Sequence, residues 1–165
     1  MIIISAMTRD RVIGKRGGLP WSIPDEYEQF LAHVRGQAVI FGRKSYEIFG
    51  GDLPDAELFV ISRSVDLAGA HVFHDVEQAV AAAHETGKTV FSGGGASIYR
   101  LTLPMADTMY LSILKEDYEG DTWFPEFDEF DWTISRRDDH PAFEFRVYER
   151  HRLENELSST SRPLR

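Results

Sequence analysis

The stretch Thr89-Val90-Phe91-Ser92-Gly93-Gly94-Gly95-Ala96-Ser97-Ile98-Tyr99 decides the fold. A β-prone run leads into three glycines, and the glycines lead into a helical pattern that carries Ile98 and Leu101 before Pro104 ends it. Strand joined to helix through residues without Cβ is the repeating unit of an α/β fold. Backbone can also approach a ligand closely there, and the helix start presents free N–H groups. The run fits neither G-x-G-x-x-G nor the P-loop, which needs G-K-[ST], so tight strand-to-helix packing is an equal reading of it.

Outward from this stretch, apolar β-like runs recur at 2–7, 38–41, 58–61 and 109–114. Helical patterns separate several of them. One starts at Pro24 and sets Tyr27, Phe30, Leu31 and Val34 on one face before Gly36 stops it. Another opens at Asp75, an N-cap with Gln78 three residues on, runs through Val76, Ala79, Val80 and Ala83, and closes at Gly87. Residues 116–131 hold eight carboxylates and five aromatics around Gly120 and Pro125 and read as a long exposed loop. Stretches 132–136 and 143–149, six residues apart, suit an antiparallel pair. The expected fold is α/β, a mostly parallel twisted central sheet with a C-terminal antiparallel pair and flanking helices. Residues 1–150 form one domain, and 151–165 form a polar tail without apolar periodicity.

Composition narrows the chemistry. The 165 residues include no cysteine, which removes disulfides, thiolate metal sites and cysteine nucleophiles and suits a reducing cytoplasm. A hydrophobic share of 42% supplies one real core. With 27 acidic against 18 scattered basic residues the net charge is -9, which argues against nucleic acid as a partner. No window has the roughly 18 to 20 apolar residues of a membrane span, and the apolar start lacks a basic n-region, so it reads as a buried strand of a soluble, unexported protein. The histidines form no H-E-x-x-H pattern, and Asp117, Glu119 and Asp121 lack the rest of a calcium loop, so no metal is expected. No G-x-S-x-G elbow occurs.

Two arginines, Arg43 in Gly42-Arg43-Lys44-Ser45 and Arg63 in Ser62-Arg63-Ser64, follow predicted strands, where parallel sheets place ligands. The sharpest local feature is Leu19-Pro20-Trp21 followed by Pro24-Asp25-Glu26. Glu26 shares a helix face with Phe30, so a carboxylate held among Phe30, Trp21 and Tyr27 loses water and its pKa rises. Such a group binds a heterocycle with amidine-like N–H donors. Ordinary helix-dipole preference for acids in a first turn explains the same placement equally well.

Taken in order, these motifs resemble dihydrofolate reductase over about residues 1–150. The match runs from Asp10-Arg11-Val12-Ile13-Gly14 through Leu19-Pro20-Trp21, Gly42-Arg43-Lys44-Ser45, Leu53-Pro54, Ser62-Arg63-Ser64, Gly94-Gly95-Ala96-Ser97-Ile98-Tyr99 and Tyr110-Leu111-Ser112 to Glu119-Gly120-Asp121-Thr122. The resemblance implies reduction of 7,8-dihydrofolate by NADPH, hydride passing from nicotinamide C4 to pterin C6 with protonation at N5, in the service of one-carbon and thymidylate metabolism. Glu26 takes the place of the family's active-site carboxylate, with Ser112 and Trp21 beside it. Ser5, Ala6, Tyr27, Phe30, Phe49 and Leu53 match the substrate pocket. Ala6, Ile13, Gly14, Leu19, Gly42, Arg43, Lys44, Ser45, Ala96, Ser97, Ile98 and Tyr99 match cofactor contacts. Gly94-Gly95 matches a cis glycine pair, Ser62 and Arg63 the grip on an adenosine 2′-phosphate, and residues 14–19 a mobile gate braced by Asp121.

Two departures stand out. Where the family has an arginine for the substrate's glutamate tail this chain has Ala56, leaving either Arg35 to compensate or the pterin head to carry the affinity. Where the family has an aliphatic residue against the ring it has Gly93, which leaves a gap. A pyrimidine reductase of flavin synthesis and a non-catalytic NADPH sensor are the alternative readings, and a cytoplasmic monomer is expected. Few lysines and abundant acids also resemble salt-adapted enzymes.

Overall fold

A computed structural model describes residues 1–63 and 67–151. Of the expected tail at 151–165 only His151 is among them, and Ser64 lies outside them.

The chain order is β1 (Ile2–Met7), β2 (Val12–Gly14), α1 (Pro24–Val34), β3 (Ala38–Gly42), α2 (Arg43–Phe49), β4 (Glu57–Ile61), β5 (His71–Phe73), α3 (Val76–Glu85), β6 (Val90–Ser92), α4 (Ala96–Thr102), β7 (Thr108–Leu114), β8 (Thr122–Trp123), β9 (Trp132–Asp139) and β10 (Phe143–Arg150). Eight strands form one sheet in the order β5-β4-β3-β6-β1-β7-β10-β9. Pairings from β5 through β7 are parallel, while β10 runs antiparallel to β7 and to β9. The mixed α/β sheet expected from the sequence is therefore present.

Strand alternation distributes the core. In β3, Val39 and Phe41 face α1 and α2 with Ile4, Leu58 and Phe91, whereas Ala38 and Ile40 face α3 and α4 with Phe59, Ala79, Val80 and Ile98. All four β3 residues are fully buried, because a parallel strand is covered on both faces. Asp75 caps α3 by accepting from the Gln78 amide at 2.9 Å, and Gly87 follows its end with φ +73°, both as the sequence predicts.

Helix α2, which the sequence reading did not place, begins directly at Arg43 because Gly42 turns out of β3 in extended conformation with no spacer. Two expectations change. The segment 116–131 is not a plain exposed loop: β8 pairs with β2, Glu129–Asp131 forms a 3-10 turn, and Phe124 is fully buried beneath Tyr99 and Phe127. Its carboxylates face water while most of its aromatics face the core, an alternation that the density of acids masked. The C-terminal strands extend to Asp139 and Arg150 because paired backbone tolerates charged side chains on an open face.

Candidate active site

The sheet order places the ends of β1, β3 and β6 side by side although they are far apart in sequence. Chain leaves β1 toward β3, β4 and β5, then returns to insert β6 between β3 and β1. A crevice at such a reversal is where open α/β sheets bind ligands. Here it is a cleft of about 800 Å³.

Helix α1 forms one wall. Pro24 occupies its first turn with Asp25 and Glu26, and the 3.6-residue repeat turns Glu26, Tyr27 and Phe30 to the cleft while Val34 packs on the sheet. Burial pushes the Glu26 carboxyl up to about 7, and a hydrogen bond from Ser112 opposes part of that rise. Ser112 stands in register with Ala6 on the neighbouring strand, so the two lie on one sheet face beneath α1. Trp21 is buried next to them against Tyr118, with ring centroids 5.7 Å apart. Tyr27 donates to Asp52, and burial together with that carboxylate holds its hydroxyl pKa well above the usual range. Phe30 and Phe49 meet at 5.5 Å to complete the apolar wall.

The opposite end is made of backbone and small polar groups. The Gly94-Gly95 peptide is cis, and the Gly42 amide donates to the Gly94 carbonyl at 2.7 Å. A Cβ on Gly94 would lie 2.8 Å from the Tyr99 ring, so that residue is kept free of a side chain. Ser45, Ala96, Ser97, Lys44 and Arg43 line this end. Arg43 is also paired with Glu47 at 3.0 Å. Tyr99 is buried and donates to the Ile4 carbonyl at 2.7 Å, and burial raises its hydroxyl pKa above the usual range. Glycines, hydroxyls and two cations suit a dinucleotide: main chain can approach it, and its phosphates gain charge-assisted bonds.

Residues 14–19 edge the cleft as a hairpin turn. Lys15 and Gly18 exchange both backbone bonds at 3.0 Å, and Arg16 and Gly17 between them have φ of +51° and +76°, the type I′ pattern. Only Gly17 of the three glycines has a positive φ. Asp121 accepts from the Arg16 amide at 3.0 Å and donates its own amide to the Gly14 carbonyl at 3.0 Å. The Arg16 amide, and after it the Thr122 hydroxyl, hold the Asp121 carboxyl below the usual range by donating to it. Gly120 is required beside it, since a Cβ would collide with Val12 and the Gly14 carbonyl.

Of the residues singled out by sequence, Ser5, Ala6, Ile13, Gly14, Leu19, Trp21, Glu26, Tyr27, Phe30, Gly42, Arg43, Lys44, Ser45, Phe49, Gly95, Ala96, Ser97 and Tyr99 line the cleft. Ser112 is buried just behind Glu26. Leu53 and Ile98 do not line it: Leu53 packs with Val34 and Leu58, and Ile98 with Ala38 and Val80, because each lies on the core side of its turn. Ser62 and Arg63 follow β4, two strands from the cleft's centre, and also stay out of its lining. Ala56 packs in the same core as Leu53, and Arg35 caps the exposed end of α1. Gly93 leaves no gap, because the Phe41 ring occupies the space its Cβ would take. Sequence reasoning missed Ile48, Thr122 and Ile4 as lining residues. Ile48 was legible only once α2 was known to be a helix.

Comparison with known proteins agrees with this geometry. Residues 1–154 match the family model described as dihydrofolate reductase. The chain is 38% identical over 160 residues to dihydrofolate reductase HdrB of Haloferax volcanii, covering 90% of this chain and 82% of that protein. It is 31% identical to a dihydrofolate reductase of Bacillus subtilis strain 168, covering 89% and 92%. A solved dihydrofolate reductase of Enterococcus faecalis, complexed with NADP(H) and RAB-propyl, superposes with a TM-score of 0.83 at 28% identity, covering 92% of this chain and 96% of that one. A carboxylate facing a cleft at the sheet's reversal, a glycine-lined far end and these matches along nearly the whole chain lead to one assignment: the protein belongs to the dihydrofolate reductase family.

Proposed function

We propose that the protein reduces 7,8-dihydrofolate to 5,6,7,8-tetrahydrofolate with NADPH, serving one-carbon and thymidylate metabolism as a cytoplasmic monomer. The observation that carries this reading is Glu26, a carboxylate with its pKa raised to about 7 that faces an apolar cleft. Perturbed acids in clefts mark working sites.

The pterin 2-amino group and N3 would donate to the two Glu26 oxygens, which fixes the ring in the cleft with Phe30 and Tyr27 along it. Binding two donors offsets the desolvation of the ionised carboxylate, so Glu26 stays charged in the complex. That charge raises the readiness of pterin N5 to accept a proton, and water can deliver it. Ser112 holds the carboxylate oriented, and Trp21 closes the cleft beside it. Bound NADPH supplies the hydride, from nicotinamide C4 to pterin C6. Ser45, Ala96, Ser97, Arg43 and Lys44 would hold the pyrophosphate, Ser62 and Arg63 the 2′-phosphate, and Ile13, Gly14, Leu19, Ala6 and Tyr99 would enclose the nicotinamide. Ile98 would contribute its main chain alone, since its side chain belongs to the core. With Ala56 where a tail-binding arginine would stand, the pterin head carries most of the affinity. The net charge of -9 with four lysines supports a further reading, that the enzyme works at high ionic strength.

The test is the fall of NADPH absorbance on adding dihydrofolate, for the parent and for Glu26→Gln. The parent should consume NADPH, and the variant should lose about 100-fold in turnover or more. Loss should be greatest at neutral to high pH, where bulk acid no longer protonates N5. A folded parent that binds NADPH yet never consumes it with dihydrofolate would overturn the proposal.

A further inference from the structure

Gly93 directly follows β6 and lines the cleft between its two ends. Its φ is not among the positive ones, so its backbone accepts any L residue. Space forbids one: a Cβ there would overlap the Phe41 ring, with Cδ1 at 2.8 Å and Cζ at 3.2 Å. Phe41 has no exposed surface and cannot turn outward. It stacks on Phe49 at 6.0 Å with an interplanar angle of 26°, and Phe49 in turn meets Phe30 and Tyr27, all three of which line the cleft. A side chain at 93 would therefore have to displace Phe41, whose stacked neighbour Phe49 lines the cleft.

We propose that Phe41 is a positioning residue that sets the width of the ring-binding part of the cleft, acting through Phe49 and by reserving the space at position 93. The ring on β3 replaces, from below, the side chain that β6 lacks, so the cleft presents bare main chain at Gly93 and takes flat bicyclic heterocycles in a slot bounded by Phe49. The ligand class rests on the reductase reading; the packing relation does not.

A double-mutant cycle with Gly93→Ala, Phe41→Leu and the pair tests it, reading both thermal midpoint and dihydrofolate kinetics. Gly93→Ala should lower Tm by about 5 °C through overpacking. It should also raise KM for dihydrofolate about tenfold with kcat within about twofold, since the obstruction acts on binding and not on Glu26. In the Phe41→Leu background the same alanine should add little to the change in Tm or KM that Phe41→Leu causes alone, because the leucine end can turn aside where the ring cannot. Equal effects of Gly93→Ala on Tm or on KM in both backgrounds would overturn the proposal. If Gly93→Ala does not fold, the double variant must; failure of both overturns it too. A parent inactive toward dihydrofolate would refute the reductase reading while leaving the Tm cycle to decide the packing relation.

Discussion

Glu26 costs stability when it is ionised. Its pKa is about 7 in the folded protein against 4.5 ordinarily, so the folded state holds the proton more tightly than the unfolded chain does. That contribution is complete below pH 4.5 and is lost as pH rises through about 7. At about 1.4 kcal/mol per unit the loss is about 3 kcal/mol. Glu26→Gln should accordingly leave Tm close to the parent's at acid pH and raise it by several degrees at alkaline pH. Differential scanning calorimetry at both ends decides this, and a pH-independent difference would show that the carboxylate is not desolvated as described. A second buried polar pair holds the glycine segment in place: Ser92 and Thr102 share a hydrogen bond of 2.7 Å with neither residue exposed, and Thr102 also donates to the Ile98 carbonyl. Thr102→Val should cost about 1 to 3 kcal/mol by stranding the Ser92 hydroxyl, measured by urea unfolding.

At the level of elements, capping and bracing were the legible signals. Asp75→Ala removes the N-cap bond of α3 and should cost about 1 kcal/mol, a Tm loss of about 3 °C, without change in KM. Asp121→Ala should behave oppositely. It frees the Arg16 amide on an exposed turn, so stability changes little, while hydrogen exchange at Arg16 accelerates and NADPH affinity falls several-fold. Unchanged exchange would show that the turn is held by its own Lys15–Gly18 bonds alone. Helices α1, α3 and α4 could be read from apolar spacing and from Pro24, Asp75 and the glycine run. Helix α2, seven residues long like α4, could not, because its start has neither the glycine run that opens α4, nor the proline that opens α1, nor a capping side chain.

Over the whole molecule the dominant electrostatic feature is surplus negative charge. All eight carboxylates of 116–131 face solvent, on the same segment whose Phe124 and Phe127 pack inward. Like charges at this density repel across distances that salt screens to about 3 Å at 1 M. Raising salt from low to molar concentration should therefore increase Tm by several degrees and leave the unfolding cooperativity intact. A flat or falling Tm over that series would remove the high-salt reading.

The sequence by itself determined the α/β class and the mixed sheet, and it put the glycine run and Glu26 forward as candidates for a ligand site. These are written locally, in hydrophobic period, in glycine and proline, and in short motifs that keep their meaning wherever the chain goes. Only the tertiary structure decided that Phe41 fills the space at Gly93, that Leu53 and Ile98 face the core, and that Lys15 and Gly18 pair across a tight turn. Each depends on which strand lies beside which, and the insertion of β6 between β3 and β1 brings together residues about fifty positions apart, a pairing that no local period encodes.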